Sequence, residues 1–282
     1  MRTVIEKKIK GAVRLAVLLV LCCPALALAA GTGANKAFPL RWEYPSVRTL
    51  STAQLYQMFP RVVVVDARTR LEWKILHIQG AILDSVDGKL FGHHFRMVLR
   101  AIRRKTQEPI VFYCNGHLCP KSYIAAQRAQ EAGIKDVYAY DSGIHDWTQA
   151  HPDLAVMFGH SPVTPALIIP EAEFRKHELP PQVFAGIVNK KHCDCLLIDI
   201  RDLAQRDTLL FPGREHEARM DNTAKIKRLI AQAQRERKTL FVYDAVGEQS
   251  RWFQYYLRKL GVRNYEFMQG GERGYIHAVG SS

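Results

Sequence analysis

Cysteine is sparse in this chain, six in 282 residues, too thin a density for a small scaffold stapled by disulfides. No cysteine and histidine pairs stand at zinc-finger spacing. In His192-Cys193-Asp194-Cys195 two thiols one residue apart cannot close a tetrahedral site alone, so they read as a strand edge, free or bridged, and no metal is expected. The uncharged run at residues 15–30 is shorter than the about 20 apolar residues that span a bilayer, and Pro24 interrupts it. Acidic residues are the minority, 27 against 40 Lys and Arg, a net charge of +13. That excess is spread along the chain, as on the solvated helix face of Arg100, Arg103, Arg104 and Lys105, and no nucleic-acid fingerprint accompanies it. With 48% hydrophobic and 24% charged residues, burying a core is easy and wholesale disorder is excluded.

What is present begins with a leader. Arg2, Lys7, Lys8, Lys10 and Arg14 precede the uncharged run, and Ala27-Leu28-Ala29 closes it with a small-x-small pattern. The expectation is a cleaved export signal over residues 1–29 and a periplasmic mature chain, with an uncleaved membrane anchor as the alternative. Leu21 and Cys22, each preceding a candidate cysteine, speak against a lipoprotein. Cys22 and Cys23 leave with the signal, and Cys114, Cys119, Cys193 and Cys195 remain where disulfides persist.

The rest reads as one unit written twice. Residues 62–68 form a β-branched run ending in Asp66-Ala67-Arg68, and residues 196–202 repeat it with Asp199 and Arg201 in the matching places. Ile110 to Cys114 pairs with Leu240 to Asp244. A helical pattern follows each, over 122–132 and 250–260, ending at Gly133 and Gly261. Gly133 to Gly143 is ten residues, as is Gly261 to Gly271, with Trp147 and Tyr275 each four residues later. Cys114 to Gly133 is nineteen residues and Asp244 to Gly261 seventeen, so two extra residues lie in the turn after Cys114. Apolar strands alternating with helices predict an α/β fold of two domains, each a small parallel β-sheet flanked by α-helices. The domains are expected over residues 46–152 and 170–282, with a proline-rich linker at 153–169. Ser51 and Gln54 predict a capping box, and Asn222 predicts the cap of a helix reaching about Arg237.

The turn after Cys114 carries the chemistry. Ligands in parallel sheets bind beyond the carboxyl ends of the strands, and Asn115-Gly116-His117-Leu118-Cys119-Pro120-Lys121 leads from there into a helix near Ser122. Inward amides and a helix N-terminus lower a thiol's pKa, and Lys121 is expected to add a positive charge at the rim. A nucleophilic sulfur attacking an anionic sulfur donor suits that setting. Cys119 is either a resolving thiol for Cys114 or a small residue packed on the helix start. His117 either meets substrate or faces solvent.

Three stretches carry a family resemblance. Asp66-Ala67-Arg68, Glu72, His77-Ile78 and Gly80-Ala81 resemble the rhodanese signature D-x-R-x-x-x-E-[YF]-x-x-G-H-I-x-G-A, with Leu76 where glycine is usual. Tyr113-Cys114 with Lys121-Ser122 and Ala125-Ala126 resembles the active loop Y-C-x-x-G-x-R-S-x-x-A-A. Asp141-Ser142-Gly143 with Trp147 resembles the closing D-G-G-x-x-x-W. The chain thus resembles a tandem rhodanese-family sulfurtransferase over residues 46–282. The resemblance implies a persulfide on Cys114, taken from thiosulfate or a similar small anionic donor and passed to a thiol or cyanide-like acceptor, without cofactor. Arg68, Asn115, Gly116, His117, Leu118, Cys119, Lys121 and Ser122 would surround the sulfur. In the second half Asp244 replaces the nucleophile, Gly247 is kept and Gln249 stands where a cation is usual, so that half is expected to be inactive. Lys121 replaces arginine in the first half, which weakens bidentate oxyanion binding. Two alternatives remain: a persulfide carrier for a periplasmic acceptor protein, and a cysteine-dependent phosphatase or arsenate reductase, which needs an arginine clamp.

Overall fold

A computed structural model describes residues 37–86 and 91–280. The expected export signal lies outside the described residues. Among those residues no helix is long and apolar enough to cross a membrane.

In the first half, the Ser51 capping box forms in both directions and opens α1 (Thr52–Met58). The β-branched run becomes β1 (Val63–Asp66), and a second capping box, Thr69 with Glu72, opens α2 (Arg70–Ile75). Then follow β2 (Leu76–Ile78), β3 (Ile82–Leu83), α3 (Phe91–Lys105), β4 (Ile110–Tyr113), α4 (Lys121–Glu131), β5 (Val137–Tyr140), α5 (Gly143–Ala150) and β6 (Ala155–Met157). The strands β3-β1-β4-β5 form one parallel sheet, and β2 pairs antiparallel with β6. Within the expected linker over 153–169, residues 155–157 form β6, and Ala155, Met157, Val163 and Ile169 are buried, so the segment packs against the core.

The second half contains α6 (Glu171–Arg175), β7 (Glu178–Leu179), α7 (Pro181–Val188), β8 (Cys195–Asp199), β9 (Glu215–Glu217), α8 (Thr223–Arg235), β10 (Thr239–Tyr243), α9 (Glu248–Lys259), β11 (Tyr265–Met268) and α10 (Gly271–Gly280). Asn222 caps α8 as its sequence predicts, accepting from the Lys225 amide. Its sheet, β7-β11-β10-β8-β9, is also parallel and repeats the order of the first with β7 added. Even that strand has a counterpart, because Thr49 bridges Ala139 of β5 in parallel where β7 lies beside β11. The fold class is therefore as the sequence predicts. One apolar cluster runs through both halves, from Val111 and Trp147 to Trp252 and Phe267. Cys193 and Cys195 are joined by a disulfide at the start of β8.

Two glycines fix where the halves' loops sit. Gly143 has φ +76°, and a Cβ there would lie 2.5 Å from the backbone of Asn115 and Gly116. Gly271 has φ +59° and stands equally close to the Asp244 carbonyl. The amides that follow close the contact, Ile144 N–H donating to the Cys114 carbonyl and Glu272 N–H to that of Asp244.

Gly133, at φ +78°, has open space where a Cβ would go, so its change to alanine costs only the conformational term, about 1–3 kcal/mol. Gly143→Ala adds displacement of the Cys114 loop. Urea unfolding will show Gly143→Ala as the more destabilised of the two; equal values would mean that the close approach contributes nothing.

Candidate functional site

Cys114 follows β4 directly, at the carboxyl edge of the first sheet, and the chain turns through residues 115–120 into α4. The signature residues of the strand before it hold that turn. The guanidinium of Arg68 donates through Nε and Nη2 to the two oxygens of Asp66, at 2.9 and 2.7 Å, and through Nη1 to Asn115 Oδ1 at 3.3 Å. Asn115 Nδ2 donates to Glu72 Oε1 at 2.7 Å, while Glu72 Oε2 accepts from the Thr69 amide and hydroxyl. All these side chains are buried. Arg68 and Asn115, expected among substrate-binding groups, are tied into the frame of the loop by these bonds, and Arg68 Nη2 also donates to the Leu76 carbonyl at 2.6 Å.

The thiol itself is fully buried, as is Cys119 nearly so. Cys114 Sγ donates to the Cys119 carbonyl at 3.1 Å and lies 3.5 Å from Ser122 Oγ. Burial alone would push the Cys114 thiol up. Hydrogen bonds from Cys119 and Ser122 and the Lys121 charge outweigh it, so the thiol is lowered. Cys119 is pushed well above the ordinary range by burial and by the neighbouring sulfur. The pair is thus divided, Cys114 shifted down and Cys119 shifted up. The helix N-terminus at Lys121 reinforces that division.

Lys121 is not at the rim. It is 3% exposed, and its ammonium donates to Asp202 Oδ2 of the second half at 2.5 Å. Gln249 Nε2 donates to the same oxygen at 3.0 Å. The position expected to offer a cation to solvent and the position where a cation is missing meet over one carboxylate. A compact ammonium without a fork can be enclosed in this way once a carboxylate reaches it. Sequence reasoning missed Asp202; its signal was an acidic residue one place after the Asp199-x-Arg201 motif, with Gln205 completing a capping box.

Beside this closure, Gly116 faces the Glu248 carboxylate, which a Cβ at Gly116 would approach to 3.3 Å. His117 is half-exposed and engaged by Asp146 Oδ2 at 3.0 Å and the Ala37 carbonyl at 2.7 Å, its ring stacked on Phe38. It is directed at neither Cys114 nor bulk solvent alone. Leu118 is partly buried. A cavity of about 330 Å³ between Val246, Arg273 and Gln205 reaches the Cys114 loop only at Pro120.

In the second half the matching loop wraps its own carboxylate. Asp244 Oδ1 accepts from the amides of Val246 and Gly247, and Oδ2 from those of Gln249 and Ser250. Gly247, at φ +85°, makes the turn before α9. Burial pushes the Asp244 carboxyl up against these four donors. The cradle that would receive an anion is filled from within.

The fold and this loop define an α/β protein with a cysteine poised at the carboxyl end of a parallel sheet. Residues 51–150 match the family profile described as a rhodanese-like domain. The tRNA uridine(34) hydroxylase of Chlamydia muridarum is 32% identical over 90 residues, 30% of this chain and 25% of that protein. That of Chlamydia felis is 29% identical over 90 residues, 32% and 27% of the two chains. The chain spans about a quarter of the length of these curated relatives. A thiosulfate sulfurtransferase from Pseudomonas aeruginosa has a similar solved structure, with TM-score 0.40 and 19% identity over 83% of this chain and 43% of that one. A rhodanese-like domain fits a sulfurtransferase at the level of the family.

Two outcomes follow. Asp202→Asn removes one carboxylate facing a buried ammonium while Glu72 still acts on it. The loss should be about 3 kcal/mol in urea unfolding, with faster alkylation of Cys114; an unchanged alkylation rate would show that the pair does not close the site.

Burial pushes Glu248 up to about 7 from its ordinary 4.5. A carboxyl that binds its proton more tightly when folded loses stability as pH rises across that window. His117, raised chiefly by Asp146, also stabilises at low pH and loses that contribution as pH climbs past its folded value. Thermal midpoints should therefore fall between about pH 5 and pH 8, and Glu248→Gln should flatten the fall. A profile identical in wild type and variant contradicts the assignment.

Proposed function

We propose that the protein is a sulfurtransferase working through a Cys114 persulfide. The observation that carries this reading is the place of Cys114, at the carboxyl end of β4 and ahead of the α4 N-terminus, inside the stretch that matches the rhodanese-like domain. The thiolate attacks the outer sulfur of thiosulfate or a similar donor. The donor's S–S bond breaks, sulfite leaves with the electron pair, and the sulfur stays on Cys114. A thiol or cyanide-like acceptor then attacks the terminal sulfur and releases the thiolate. Ser122 and the start of α4 support the charge on sulfur, while Cys119 lies within reach of it. In this proposal the second half is a silent rhodanese-like domain, since Asp244 cannot hold a persulfide, and its Asp202 and Glu248 shape the mouth of the first. We place the mature chain in the periplasm, a setting in which the Cys193–Cys195 disulfide persists. The hydroxylase activity in the curated relatives' name is not carried over, because only about a quarter of their length is shared.

The complete burial of Cys114 beneath Lys121 and Asp202 favours a second reading, a persulfide carrier that opens to an acceptor protein. A phosphatase reading is weaker here, since Arg68 is bound to Asp66 and Lys121 to Asp202.

Intact mass after thiosulfate treatment should show the gain of one sulfur in wild type and none in Cys114→Ala. Wild type that stays unloaded at every donor concentration would end both sulfur readings. Continuous thiocyanate formation with cyanide distinguishes the enzyme; a carrier loads once and stops.

A further inference from the structure

A well-formed hollow lies away from Cys114. A cavity of about 500 Å³ lies between α2, the turn after β6 and α9, with Trp73, Val156, Phe158 and Tyr256 among its walls. Glu248, at the start of α9, faces the Cys114 loop. Tyr256 is eight residues further on, about 12 Å along the helix axis, so the two places are separate. Neither the proposed sulfur chemistry nor the closure over Asp202 uses any of these walls.

Three observations indicate that this cavity receives a ligand. Tyr256 is 8% exposed, and its hydroxyl is buried without a hydrogen-bond partner; the indole N–H of Trp73 is buried and unpartnered as well. Unpaired buried donors are uncommon, because each forfeits its bonds to water. Phe158 holds φ +50°, a conformation unusual for a bulky side chain, while its amide is pinned to the Ile75 carbonyl. That backbone sets the Phe158 ring against the cavity, with the Lys259 ammonium 4.1 Å above the ring. Third, the charged side chains of the lining are both lysines, Lys74 and Lys259, with no carboxylate among them. His77, stacked on Trp73 and bonded to its carbonyl, is shifted by burial toward the neutral imidazole.

We infer that this cavity binds a small amphipathic anion, its aromatic or medium-length aliphatic body between Trp73, Phe158 and Tyr256 and its single anionic head at Lys74 and Lys259. The volume suits one small molecule. The two lysines with no opposing acid select the sign of its charge.

Titration with 1-anilinonaphthalene-8-sulfonate tests the site in the whole chain. Saturable one-to-one binding is expected. Decanoate should displace the probe at least tenfold more effectively than decanol or decyltrimethylammonium. The Lys74→Gln/Lys259→Gln double variant should weaken the probe at least tenfold, and Val156→Trp should abolish binding while sulfur loading of Cys114 continues. If Val156→Trp does not fold, the lysine variant alone decides. Equal displacement by the three competitors, or probe binding untouched by either variant, overturns the proposal. So does a dimer in sedimentation that Val156→Trp dissolves, for then a second copy covers the cavity. Sulfur loading is read separately, so failure of one reading leaves the other standing.

Discussion

The ion pair between Lys121 and Asp202 joins the chemistry of one half to the frame of the other. It is nearly dehydrated, and its carboxylate oxygen also accepts from Gln249. A buried pair of this kind contributes less to net stability than its short distance suggests, since both charges are stripped of water to form it. What it supplies is definition. With the ammonium committed to Asp202, the first residue of α4 is tied to the second half, and the Cys114 thiol on which its charge acts is fully buried. The lysine's charge still lowers the thiol, because proximity rather than direct contact is enough in a poorly hydrated interior.

The two halves solve one geometric problem in two chemical ways. In each, a strand ends, the chain turns through a loop that carries a glycine, and a helix follows. In the first half the group held there is a polarisable sulfur with two neighbours that tune it. In the second it is a carboxylate saturated by four backbone donors. The second cradle is complete without any ligand, and that completeness makes it a rigid wall for the first. Asp66 with Arg68 and Asp199 with Arg201 repeat the same buried pair beneath the two turns. Glu72 gives the first half its extra tie to the loop through Asn115.

Much of this was legible in residue order. Local rules reach short distances, and the elements they govern came out as read: the Ser51 box, the Asn222 cap, the β-branched strands and the glycines after α4 and α9. The doubled pattern of residues predicted two parallel sheets, since parallel strands buried on both faces show as unbroken apolar runs. Cys114 stood out for the same local reason, a thiol between a strand end and a helix start.

Three features lay beyond any local rule. Composition marked residues 153–169 as a linker, and within it the proline-free Ala155–Met157 pairs with β2 and buries Ala155 and Met157. The family resemblance set Arg68 and Asn115 around the sulfur, and packing binds them to Asp66 and Glu72 as well. Most of all, the sequence placed a lysine beside the thiol and predicted a charge open to solvent. Only the approach of Asp202, 81 positions along the chain, determined that the charge would be enclosed. Residue order by itself determined the strands, the caps and the place of Cys114 between a strand end and a helix start, all set by neighbours a few positions apart. Which buried charges pair, and whether the thiol meets water, depended on side chains brought together from distant segments, and such meetings exist only once the sheets have folded against each other.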